Sequence, residues 1–167
     1  MLKLGKNEVK NELFETSKND ETGFGTKPTE KKALITQYLG ISPFEFFPTD
    51  PQTDRAGFDY QNGSFRGLAP SGVSSGAQCP VHLEDGAIIK AFIVYGSDTG
   101  TGFYLWKRKV SDATPTQIGG TANVGTEVTG VNEVVNNKIN HYFLTLDQVN
   151  STKSINGARI TYLIEGR

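Results

Sequence analysis

Apolar residues along this chain recur in short alternating runs, the spacing of strands, and almost nowhere at the 3.6-residue spacing of helices. Ala33 to Leu39 forms a β-leaning run that stops at Gly40. Ile41 to Pro48 follows as an extended stretch in which Phe44 and Phe46 share a face, and Phe44, Phe46 and Phe47 read as core aromatics. Gly57-Phe58-Asp59-Tyr60 leads into Asn62-Gly63, a two-residue hairpin signal, and the chain returns as Ser64 to Leu68. Gln78 to Leu83 and Ala87 to Tyr95 are two strands joined at Glu84-Asp85-Gly86, where Gly86 takes positive φ without steric cost. In the second, Ala87, Ile89, Ala91, Ile93 and Tyr95 fall on one face and Ile88, Phe92 and Val94 on the other, broken by Lys90. A run that is apolar on both faces predicts a central, doubly covered strand.

Further strands are predicted at Phe103–Val110, Thr116–Ile118, Ile139–Val149 and Ala158–Ile164. Thr126 to Val135 alternates too weakly to assign. The pattern amounts to about eight to ten strands separated by turn signals, and it predicts an all-β fold: a jelly-roll-like antiparallel β-sandwich. The sandwich domain spans 33–167. Residues 1–32 differ, being rich in Lys, Glu, Asn and Thr, with Leu2, Leu4, Val9, Leu13, Phe14 and Phe24 scattered among them. Such a segment buries too little apolar surface to offset its own ordering entropy. It reads as an extended N-terminal arm that uses those six residues to clasp a neighbouring subunit.

Composition narrows the classes of function. Seventeen basic against 18 acidic residues give a net charge of −1, which offers no general attraction to nucleic acid. One cysteine, Cys79, excludes an intrachain disulfide and reads as a small buried side chain. No stretch reaches the ~20 apolar residues of a membrane helix, and the N-terminus lacks the apolar core of a signal peptide. The expectation is therefore no membrane insertion and synthesis in a cytoplasm.

Several short phrases occur in a recognisable order. Phe46-Phe47-Pro48, Pro80 to Ile89, Tyr95 with Asp98, Leu105-Trp106-Lys107-Arg108, Tyr142-Phe143-Leu144 and Ala158 to Tyr162 follow one another along the chain. Together they resemble the β-sandwich module of uncharacterised bacterial exported proteins, over about residues 41–164. The resemblance implies the fold and no activity. Glu84 stands where that module usually has proline. In architecture, a jelly roll with a polar arm is also similar to capsid decoration, minor capsid or fibre proteins of tailed phages.

Candidate chemistry is sparse. Gly96 to Gly102 looks like a phosphate loop, but a strand follows it where a helix N-terminus is needed, and the Walker lysine is missing. His82 and His141 are isolated, and Asp50, Asp54, Asp59, Glu84 and Asp85 lack calcium-loop spacing, so neither metal nor cofactor is expected. No Gly-x-Ser-x-Gly elbow occurs. Lys107-Arg108-Lys109 reads as a guard on an edge strand. Tyr95, Tyr104 and Trp106 form a candidate glycan platform. The expectation is a non-enzymatic structural protein, most concretely a phage virion surface component, acting as a homo-oligomer within a larger assembly. The alternative is a carbohydrate-binding or adhesion module at a cell surface or secreted.

Overall fold

The computed structural model describes residues 32–49, 58–67, 75–97, 100–121, 123–149, 152 and 154–166. Among them the regular elements are eleven β-strands and one 3₁₀ turn, and none is an α-helix. The strands are β1 (Leu34–Ile41), β2 (Phe47–Pro48), β3 (Phe58–Gln61), β4 (Ser64–Gly67), β5 (Ser75–Val81), β6 (Ile88–Gly96), β7 (Phe103–Lys109), β8 (Pro115–Thr121), β9 (Glu133–Val134), β10 (Asn140–Val149) and β11 (Ile155–Glu165). The predicted arm residues Leu2, Leu4, Val9, Leu13, Phe14 and Phe24 lie outside the described residues.

Two antiparallel sheets pack face to face. One runs β1-β11-β6-β9, with the β3–β4 hairpin joining the other end of the β11 edge at Ile155. The other runs β2-β5-β10-β7-β8. Leaving aside β2, β3 and β4, the eight remaining strands split into β1-β11-β6-β9 and β5-β10-β7-β8, the strand order of a jelly roll. The core between the sheets holds Phe46, Phe65, Phe92, Phe103, Leu105, Leu144, Leu146 and Ile160, all essentially buried. Each such side chain contributes about 1.5–3 kcal/mol by leaving water.

The corner between β5 and β6 carries the chain from one sheet to the other. Gly86 has φ +86°, as its position in the turn requires, and donates its N–H to Val135 O at 2.9 Å. Val135 N–H returns to Ala87 O at 2.7 Å, and Asn137 N–H donates to Asp85 Oδ1 at 2.8 Å. Asp85 is thus a structural acceptor within a clamped turn. The Asn62-Gly63 hairpin also forms, with both residues at positive φ (51° and 76°).

Three details depart from the sequence pattern. Lys90 is an extra residue between Ile89↔Tyr162 and Ala91↔Thr161, a β-bulge that reverses the alternation along β6. Ala87 and Ile89 before it, and Phe92 and Val94 after it, therefore all join the core, while Ala91 and Ile93 turn to the outer face. Second, Pro43–Glu45 is a 3₁₀ turn, not extended chain. The Ser42 side chain accepts from Phe44 N–H and Glu45 returns to Ser42 N–H, a reciprocal cap that sequence alternation does not register. Phe46 alone of the three phenylalanines is core; Phe44 is exposed and stacks on Tyr60 at 5.6 Å, and Phe47 is exposed. Third, β7 lies inside its sheet between β10 and β8, so Lys107-Arg108-Lys109 guards no edge.

Candidate functional site

The outer face of the β5-β10-β7-β8 sheet carries four aromatic side chains, Phe47, Tyr104, Trp106 and Phe143. Register places them in rows. Phe47, Gln78, Thr145, Tyr104 and Gly120 lie side by side across β2, β5, β10, β7 and β8. The next row is Pro80, Phe143, Trp106 and Gln117, and beyond it His141 pairs with Arg108. These residues face outward because their strand neighbours Ala77, Cys79, Val81, Phe103, Leu105, Tyr142, Leu144 and Leu146 face the core. Trp106 Nε1–H donates to Thr145 Oγ1 at 2.8 Å, which fixes the indole against the sheet. The Tyr104 and Trp106 rings lie 6.3 Å apart, tilted by 55°. Phe47, Gln78, Pro80, Arg108, His141 and Phe143 border a shallow depression of about 350 Å³. The surface offers flat apolar rings beside amide, imidazole and guanidinium donors.

Of the predicted platform, Tyr104 and Trp106 share this face. Tyr95 does not join them: it lies on β6, in the other sheet, paired with Gly157. Phe143, Phe47, Pro80, Gln78, His141 and Arg108 also belong to the face; the sequence pattern assigns none of them to the platform and reads Phe47 as core, Arg108 as part of an edge guard and His141 as isolated. Phe143 was legible in principle, since it falls out of phase with the inward series Tyr142, Leu144, Leu146.

On the other sheet the outer face is apolar near β1. Leu34 and Tyr38 are 52% and 63% exposed, so this strand leaves large apolar area in water. Arg159 lies over the Tyr38 ring, 5.5 Å from its centroid, and pairs with Glu127 at 3.0 Å. That row crosses Ile93, the register partner of Arg159.

Between the sheets, Lys107 points inward and binds both Glu133 oxygens at 2.8 and 2.9 Å. Tyr142 OH donates to Glu133 Oε1 at 3.2 Å and accepts from Asn136 N–H at 3.0 Å. The network ties β7 and β10 of one sheet to β9 of the other. A cleft of about 720 Å³ opens where β1 begins, lined by Lys32, Ile35, Gln37, Glu84, Tyr162 and Glu165. A smaller one of about 310 Å³ beside it adds Asp85.

Among the described residues no three His, Cys, Asp or Glu side chains come together in a way that would hold a metal. Asp59 is engaged by Arg66 at 2.9 Å, while Asp50, Asp54 and Asp98 lie outside the described residues. Cys79 is buried, and burial, with Glu45 nearby, pushes its thiol up to about 12. Among the described residues no helix is long and apolar enough to cross a membrane. No protein-family model, curated protein or solved structure matches the chain.

Proposed function

We propose that this chain is a non-enzymatic structural protein that assembles with copies of itself and with other subunits. The observation that carries the reading is the run of exposed apolar side chains on β1, Leu34, Ile35 and Tyr38. Exposed apolar residues gathered on one element are what association surfaces use. The most concrete form of the reading is a component of a phage virion surface, a capsid decoration, minor capsid or tail protein. Jelly rolls recur in viral capsid domains, which supports that form by architecture alone. The polar composition of residues 1–32 adds an arm that clasps a neighbour. The test is the mass and particle binding of the chain with residues 1–32 removed. Loss of either is the expected result; full retention of both overturns the arm's role.

A second reading, a carbohydrate-binding or adhesion module, is favoured by the aromatic rows on the β5-β10-β7-β8 face. Pyranose rings stack their apolar C–H faces on flat aromatics while their hydroxyls reach neighbouring polar groups, and Trp106 and Phe143 lie flanked by Gln78, His141 and Arg108. A glycan array probed with the native chain and with Trp106→Ala and Phe143→Ala decides it. Signal that both substitutions abolish supports the reading, and an array blank throughout removes it.

A further inference from the structure

We propose that β1 is a self-pairing strand: two copies of this chain join edge to edge through antiparallel β1–β1 pairing about a two-fold axis, which extends the sheet from one copy into the other. The inference rests on the assembly reading above and names its contact.

The first observation is the direction in which β1 turns its backbone. Gly166 donates its N–H to Ala33 O at 2.7 Å. From there the β1–β11 register runs without a shift, from Leu34↔Glu165 to Ile41↔Ala158. In an antiparallel ladder successive residues turn both polar groups alternately toward the partner and away from it. Ala33 faces β11, and so do Ile35, Gln37, Leu39 and Ile41. Leu34, Thr36, Tyr38 and Gly40 therefore turn their N–H and C=O groups to the open edge. Among the described residues, β11 is the only strand that β1 pairs with.

The second observation is that β1 carries, in its own sequence and among the described residues, none of the devices that blunt an edge. Natural edges are kept short, bulged, charged or interrupted by proline. The other sheet margins follow that rule. β2 has two residues and includes Pro48, and β9 also has two. β3 has four residues and carries Asp59. β8 opens on Pro115 and has a bulge at Ile118 between Leu105↔Gly119 and Trp106↔Gln117. β1 is eight residues long, Leu-Ile-Thr-Gln-Tyr-Leu-Gly-Ile, with no charge, no proline and no bulge.

The third observation selects the occupant. An antiparallel strand edge is complementary to its own copy under a two-fold axis, because each outward N–H meets an outward C=O. With Gln37 opposite Gln37 of the second copy, Thr36 pairs with Tyr38 and Leu34 with Gly40, all uncharged residues on one face. Nothing in β1 repels a copy of itself. The exposed Leu34 and Tyr38 side chains of the two copies then come together on the outer face of a continuous sheet.

The test is analytical ultracentrifugation of the full chain across a concentration series, with Thr36→Pro and Tyr38→Pro as variants. Each removes an outward N–H and leaves the ladder to β11 intact, the placement in which an edge tolerates proline. Thr36→Lys is a third variant that keeps the backbone and adds an edge charge. The native chain is expected to self-associate, and the variants to weaken association by about tenfold or more with unchanged circular dichroism. Variants that associate as tightly as the native chain overturn the inference. If deletion of residues 1–32 then dissociates them, the assembly reading survives on the arm alone. A native chain that stays monomeric, and associates only once residues 1–32 are removed, also overturns it, in favour of another segment as the occupant.

Discussion

At the scale of single residues, two positions show how backbone and solvent constrain this fold. Gly157 has φ +129° and lies against the carbonyl of Ile41, where a Cβ would come within 2.5 Å of that oxygen. Gly157→Ala is therefore expected to cost about 2 kcal/mol or more, read as a lower denaturant midpoint with an unchanged slope. Cys79 holds its proton to about 12, against an ordinary value of 9.0, mainly because burial disfavours the thiolate. Two outcomes follow. A thiol reagent at neutral pH labels Cys79 only as fast as the protein opens, and full labelling of the native state within minutes would contradict the burial. The sign of the pH dependence is also set. Below pH 9 the thiol is protonated in both states and its contribution is complete. Between 9 and about 12 the unfolded thiol ionises first, so stability falls as pH rises. Cys79→Ala should flatten that slope, in urea titrations across this range.

At the scale of elements, the bulge at Lys90 and the reciprocal cap on the Ser42–Glu45 turn decide which side chains reach the core. Both were hidden from an alternation pattern. The pattern reads β6 as a strand covered on both faces; in the structure a single extra residue brings the apolar side chains before and after Lys90 onto one inner face, and Ala91 and Ile93 lie on the outer face of the sheet. A period-two reading has no means of seeing one inserted residue, since the bulge is defined by the partner strand. The three phenylalanines of the 44–47 stretch divide for a similar reason, because a one-turn helix rotates Phe44 away from the face it would share in extended chain. The Lys107–Glu133–Tyr142 network is also an element-scale feature, since it joins strands of opposite sheets. Removing Glu133 leaves the half-buried Lys107 ammonium without its acceptor and the Tyr142 hydroxyl donating only through its longer bond to Val134 O at 3.4 Å. Glu133→Ala is expected to cost about 1–3 kcal/mol by thermal or urea denaturation. Lys107→Met with Glu133→Leu, which removes both charges, is expected to recover most of that loss.

At the scale of the whole molecule, two sheets present two different outer faces. One is lined with aromatic rings and hydrogen-bonding side chains; the other ends in an uncharged open strand. If copies join through β1, folding and association are linked, and the apparent melting temperature rises with protein concentration. Thr36→Pro should remove that concentration dependence without lowering the melting temperature of the dilute protein. Calorimetry at several concentrations checks both. A melting temperature that is flat in the native chain would argue against the linkage.

The sequence by itself determined the class of fold, the positions of nearly all the long strands, the hairpin at Asn62-Gly63 and the corner at Gly86. These are local properties, written in two-residue alternation and in which residues tolerate positive φ. It also contained the uncharged, proline-free composition of β1. Only the tertiary structure decided that β1 lies at a margin while β7 lies inside a sheet. It also split Tyr95 from Tyr104 and Trp106, and gathered Phe47, Pro80, Phe143 and Trp106 from four strands onto one face. Those relations join residues far apart in sequence through strand order and register, which depend on how the apolar faces of both sheets find each other. Local periodicity specifies each strand's two faces; the pairing of distant strands decides what each face meets.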